Sequence, residues 1–132
     1  MREIIKKQVG TGRTRVYAEV YEVGRDLLVL VGGEGVHLGA ASLAQRVPGE
    51  ETTVDVLVAR VRERPDRRHK EGEITDHVAG RLTDATGRLT IALSGIHLDR
   101  ITPDEIAGIR ANVEELTGQL AQELVEEGML GQ

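Results

Sequence analysis

Cysteine, phenylalanine and tryptophan are absent from this chain, and Tyr17 and Tyr21 are its only tyrosines. Without cysteine there is no disulfide, no thiolate metal site and no thiol nucleophile. Without aromatic rings to interleave there is no platform for stacking the bases of a single strand. Positive charge is also short: the formal net charge is -5, the wrong sign for a general grip on phosphate backbones, so no nucleic-acid partner is expected. No stretch approaches the ~20 apolar residues of a membrane span, and the apolar part of "MREIIKKQVG" is too short for a signal peptide. A cytoplasmic protein with no membrane partner is expected.

What is present is an ordinary soluble mixture. Hydrophobic residues make up 39% and charged residues 30% of 132 residues. That length suits one domain over residues 1–132, with a modest core of Val, Leu, Ile and Ala. No linker or second domain is visible.

Several stretches alternate with period 2 and read as strands. Glu3–Gly10 is the first, turned by "TGR". Arg15–Val23 follows, with Val16, Ala18 and Val20 on one face and Tyr17, Glu19 and Tyr21 on the other. After "GRD", Leu27–Val31 is apolar on both faces and reads as a central strand. Val36–Val47 carries small residues on both faces, and Thr52–Arg62 alternates through Val54, Val56 and Val58. Glu63–Glu73 is charged and reads as a surface loop. Ile74, Val78, Leu82 and Ala85 then have helical spacing, and Gly87 ends that helix. Leu89–Ser94 is a sixth strand. "TPDE" at Thr102–Glu105 starts a long C-terminal helix: Thr102 caps, Pro103 needs no donor, and Glu105 reaches back. Ile106, Ile109, Val113, Leu116, Leu120 and Leu124 form its stripe.

The order is five strands, helix, strand, helix. This predicts an α+β fold with a six-stranded, mainly antiparallel sheet, its sequential strands running as a meander. Two helices cover one face. Nothing is left to cover the other, so burial by a partner, most simply in a homodimer, is expected.

The chemistry-bearing residues gather in two tetrapeptides. "GVHL" at Gly35–Leu38 returns as "GIHL" at Gly95–Leu98. The first lies in "VGGEGVHLGA", which has neither the Gly-Lys-Ser/Thr ending of a P-loop nor a following helix. Its glycines either serve a strand connection or let the backbone approach a ligand or a partner subunit. His37 and His97 fall near strand ends, where ligands bind, and Asp99 stands two residues from His97. Ser94 and Ser42 are available hydroxyls, but no nucleophile elbow surrounds either, so no triad is assembled. A metal held by His37, His97 and Asp99 is open on residue type alone. Arg64, Arg67, Arg68 and Lys70 are either a solvated run or a lid over an anionic ligand. The C-terminal stripe either packs on the sheet or pairs with a partner helix.

Two segments carry a family resemblance over nearly the whole chain. "VYEVGRDLLVLVGGEGVHLGAASLA" and "SGIHLDRITPDEIAGIRANVEEL" resemble the LpdD-type proteins, the prenylated-flavin chaperones. Arg100 follows Asp99 where the family pattern has a small polar residue such as Asn. The resemblance implies a non-enzymatic homodimer with a fold similar to the eukaryotic proteasome-assembly chaperone heterodimers. It implies reduced prenylated flavin mononucleotide (FMN) as bound cargo and a UbiD-type decarboxylase as client. Its anchors are His-Leu-Gly-Ala at His37–Ala40 and Gly-Ile-His-x-Asp at Gly95–Asp99, and the cofactor-binding residues expected on and just before them are Gly33, Gly35, His37, Gly39, Ser94, Gly95, His97 and Asp99. His37 and His97 would meet either the ring edge or the phosphate. It implies no catalytic residue and no metal. The rival readings are a protein-assembly chaperone or docking module with no small ligand, and a metal-dependent enzyme.

Overall fold

The computed structural model describes residues 1–35, 37–61, 64–68 and 71–130. Among these residues eight strands and two α-helices follow in chain order: β1 Arg2–Val9, β2 Val16–Val23, β3 Asp26–Gly32, β4 Ala40–Gln45, β5 Thr53–Val58, β6 Arg60–Val61, β7 Arg64–Arg68, α1 Gly72–Thr86, β8 Thr90–Ser94 and α2 Pro103–Leu130, with a short 3-10 turn at Gly12–Thr14. Six of them form one mixed sheet in the order β1-β2-β3-β8-β4-β5, and β6 and β7 form a separate ribbon. The expected α+β architecture with a mainly antiparallel sheet is therefore what the chain adopts.

The meander expectation fails at one point. β8 inserts between β3 and β4, and it pairs parallel with β3. The reason is the α1 crossover. β4 is antiparallel to both β5 and β8, so β5 and β8 run the same way and need a helix to connect them.

Period-2 patterning decides the faces. Val16, Ala18, Val20, Val29 and Ala92 are buried beneath the helices. α1 lies over β4, β8 and β5, and α2 packs on β1, β2 and α1. The stripe of α2 thus packs on the sheet. Leu116 and Leu120 are 1% exposed, each worth roughly 2 to 3 kcal/mol of apolar burial. Ile106 departs from the stripe at 40% exposure. On α1, Val78 and Leu82 are buried as spaced, whereas Ala85 is exposed; Thr75 and Thr83 share the buried face. Ser42 Oγ lies 2.7 Å from Thr75 Oγ1 and 2.6 Å from Asp76 Oδ1, which docks α1 on β4.

Helix ends follow local chemistry. Gly87 takes φ +73° and its amide bonds the Thr83 carbonyl at 2.8 Å, ending α1. At α2, the Glu105 amide donates to Thr102 Oγ1 at 3.1 Å and the Thr102 amide to Glu105 Oε1 at 3.0 Å, a reciprocal capping box.

Three boundaries differ from expectation. The strand expected at Val36–Val47 is confined to Ala40–Gln45, because His37 and Gly39 donate instead to Gly95 and Ser94 across the sheet end. The strand expected at Thr52–Arg62 breaks at Ala59, whose amide bonds the Gly39 carbonyl at 2.8 Å. The expected loop Glu63–Glu73 contains β7, and α1 already begins at Gly72. The lid expected of Arg67 and Arg68 falls on side chains outside the described ones.

Among the described residues, no helix covers the second sheet face. Register places Leu28 beside Ile91, Leu30 beside Leu93, and Ile91 beside Leu43. Ala41 then lies beside Leu57, which is 78% exposed. A continuous apolar strip therefore crosses β3, β8, β4 and β5.

Candidate functional site

The parallel pairing of β3 and β8 matters because both strands finish at the same end of the sheet. Each is followed by a G-x-H-L tetrapeptide, so the two are brought together there. They cross. The His37 amide donates to the Gly95 carbonyl at 3.4 Å, the Gly39 amide to the Ser94 carbonyl at 2.9 Å, and the His97 amide to the Glu34 carbonyl at 3.1 Å. A Cβ on Gly35 would overlap the His97 carbonyl, and one on Gly95 would overlap the His37 carbonyl. A Cβ on Gly33 would stand 2.9 Å from the Arg15 carbonyl oxygen. The glycines thus admit this chain's own backbone, and the crossover is an intramolecular lock.

Four of the eight expected binding residues, Gly35, His37, Gly95 and His97, lie within the two tetrapeptides, and Gly33, Gly39, Ser94 and Asp99 flank them. The imidazoles are 6.3 Å apart, centroid to centroid, with their planes at 71°. Each has a carboxylate. His97 Nε2 is 3.1 Å from Asp99 Oδ1, and both side chains are exposed. His37 Nε2 is 3.5 Å from Glu71 Oε1, and the Glu71 side chain is only 10% exposed. Glu71 also accepts the Ile96 amide at 3.4 Å, which ties the start of α1 to the second tetrapeptide. The sequence signal for Glu71 is weak, since it stands among other charges in "RRHKEGE". Ser94 is 1% exposed and its Oγ has no hydrogen-bond partner among the described residues.

Neighbouring groups fix the crossover from outside. Arg13 donates to the Asp99 carbonyl at 2.7 Å and to Glu105 Oε2 at 2.6 Å. That hydrogen bond raises the Arg13 guanidinium's pKa and holds the Glu105 carboxyl below its ordinary value, assisted by the Thr102 amide. Arg100 sits at φ +52°, in the left-handed region. The ring of Tyr17 closes over Gly32 at the end of β3, where a Cβ would stand 2.5 Å from the ring. Tyr21 borders the open face with Glu3 and Glu19. Its phenol is pushed up to about 12, mainly by the hydrogen bond to Glu19.

Among the described residues, no group of three His, Asp or Glu side chains is gathered closely enough to hold a metal ion. His37 and His97 instead turn to different carboxylates. Likewise no described helix is long and apolar enough to cross a membrane.

The family model for the prenylated flavin chaperone LpdD-like domain matches residues 10–125. The chain belongs to that family. This LpdD-like chain takes from the match a chaperone classification, which points to a non-catalytic role. No curated protein sequence matches it. Among solved structures, a chain in the crystal structure of a chaperone complex for yeast 20S proteasome assembly superposes with a TM-score of 0.61. It covers 91% of this chain and 95% of its own length at 12% identity. At that identity the likeness is one of fold.

The crossover fits part of a prenylated flavin. Two imidazoles beside carboxylates can meet the polar ring edge and the apolar strip the ring faces, whereas the Ser94 hydroxyl shares the helix-covered side of β8 with Thr90 and Ala92 and is turned away from that strip. The filled glycine positions Gly35 and Gly95 leave no open phosphate cradle between the two tetrapeptides.

Proposed function

We propose that this protein is a cytoplasmic, non-enzymatic carrier, acting over residues 1–132 as one domain. It binds reduced prenylated FMN as cargo and assists its loading into a UbiD-type decarboxylase. The observation that carries the reading, beside the family match, is the position of the His37–His97 crossover. It lies at the end of an uncovered apolar sheet face.

A reduced flavin needs shielding from oxygen and water. One sheet face alone gives a wall and not a pocket. A second copy laid on that face closes it, so the carrier is a homodimer. The ring lies against leucines and isoleucine, and Tyr17 is the nearest aromatic side chain placed to bound it. His97, exposed and held by Asp99, is the first choice for the ring edge or phosphate, and His37 is braced by Glu71.

The test is anaerobic titration with reduced prenylated FMN, using oxidised and reduced FMN as controls. Stoichiometric, selective binding that is lost in His97→Ala supports the carrier. Absence of binding by a folded dimer overturns it. A protein-assembly chaperone with no small ligand then becomes the better reading, and the likeness in fold to a proteasome-assembly chaperone favours it second.

A further inference from the structure

The apolar stripe of α2 extends beyond the part that meets the sheet. Ile106, one turn before the buried Ile109, is 40% exposed, and so is Ile101 in the preceding loop. Both line a cleft of about 490 Å³ between the first turns of α1 and α2. Ile74, Ile96 and Ile109 line it too, so five of the chain's eight isoleucines face one recess. The rim is acidic. Glu73 and Glu114 stand there against one guanidinium, Arg110, which lies 2.8 Å from Glu73 Oε2, while the lining Glu71 is buried and engaged by His37 and the Ile96 amide.

We propose that this cleft docks an apolar segment of the client decarboxylase flanked by basic residues. The identity of the client rests on the carrier reading. Three features select this occupant. Two rim carboxylates, Glu73 and the exposed Glu114, against one guanidinium complement a cationic flank, which steers encounter and disfavours acidic surfaces. On α2 the lining runs from Ile106 to Glu114, about 12 Å at the helical rise. That is room for two or three apolar anchors of a short segment. The helices also lie on the side of the sheet away from the open apolar face, so the cleft stays accessible when that face is covered.

The cleft is continuous with the crossover. The buried lining residue Glu71 is the carboxylate beside His37, and the lining residue Ile96 has its side chain 3.4 Å from where a Gly33 Cβ would stand. A segment seated here presses on residues that hold both histidine loops, which places the client beside the cargo site.

The experiment uses the full chain and a UbiD-type apo-decarboxylase, with affinity measured by calorimetry at low and high salt. Ile101→Asp and Ile106→Asp alter half-exposed positions, and Glu114→Lys alters the exposed rim. Flavin affinity is measured separately on each. The wild type is expected to form a complex that weakens with salt. Each variant is expected to weaken it roughly tenfold while leaving flavin affinity unchanged. In methyl spectra of the complex, Ile74, Ile101 and Ile106 shift and Ile91 does not. Unchanged affinity in all three variants, shifts confined to Ile91 on the open sheet face, or no complex at all overturns the docking proposal. Because docking is read without flavin, failure of the wild type to bind reduced prenylated FMN overturns the carrier reading alone.

Discussion

Gly95 and His37 meet backbone to backbone: a Cβ on Gly95 would overlap the His37 carbonyl, and Gly35 stands in the same relation to His97. Neither neighbour is a flexible side-chain end, so the crossover cannot yield to an added methyl. Gly95→Ala is expected to cost roughly 3 kcal/mol, at the upper end of overpacking, and to lower the midpoint of thermal unfolding by roughly 10 °C. A midpoint within 2 °C of wild type, by about the precision of such melts, would refute the lock.

Arg100 is the described non-glycine residue with positive φ, at +52°. A left-handed backbone strains a side chain with a Cβ, and asparagine bears it better than arginine. The Asn expected at this place from the family pattern therefore has a physical reason. Arg100→Asn is expected to stabilise the fold by about 0.5 to 1 kcal/mol. Chemical denaturation checks it, and a loss of stability contradicts it.

The capping box of α2 carries a pH signature. Thr102→Ala removes the acceptor of the Glu105 amide and is expected to cost about 1 kcal/mol. Glu105 has its folded carboxyl pKa depressed by Arg13 and the Thr102 amide, from an ordinary value of 4.5. Its contribution is therefore complete above that value and disappears as pH falls through the lower, folded one. In Glu105→Gln the difference from wild type is expected at pH 7 and to shrink on acidification below 4.5. Denaturant melts across that range show whether the gap closes. A gap that widens at low pH reverses the sign and rejects the assignment.

The same box shows what the sequence makes legible. "TPDE" spells out its own geometry, because cap, proline and returning glutamate act within four residues. Alternation in Arg15–Val23 is as direct, since burial of one face sets it. The insertion of β8 between β3 and β4 is not legible, because pairing partners distant in the chain leave no local mark. For the same reason the repeat of "GVHL" and "GIHL" is visible as text while its meaning is not. Only the parallel register of Leu27–Val31 with Thr90–Ser94 brings the tetrapeptides together. Glu71 is hidden by its setting, one carboxylate in a charged run, and the break at Ala59 depends on a bond to Gly39.

The open sheet face gives the last prediction. Leu93 lies beside both Leu30 and Ala41, and Leu57 is 78% exposed on β5. Both point away from the helices, so changing either leaves the core beneath α1 and α2 intact. If a second copy covers the face, Leu57→Asp and Leu93→Asp each place a carboxylate where its charge must be desolvated, a cost of several kcal/mol. Sedimentation equilibrium is expected to give a dimer for the wild type and folded monomers for both variants. The monomers are expected to bind reduced prenylated FMN at least tenfold more weakly, since only the pair encloses the ring. Variants that remain dimeric with full flavin affinity would place the dimer contact on another surface and leave the cargo on a single chain.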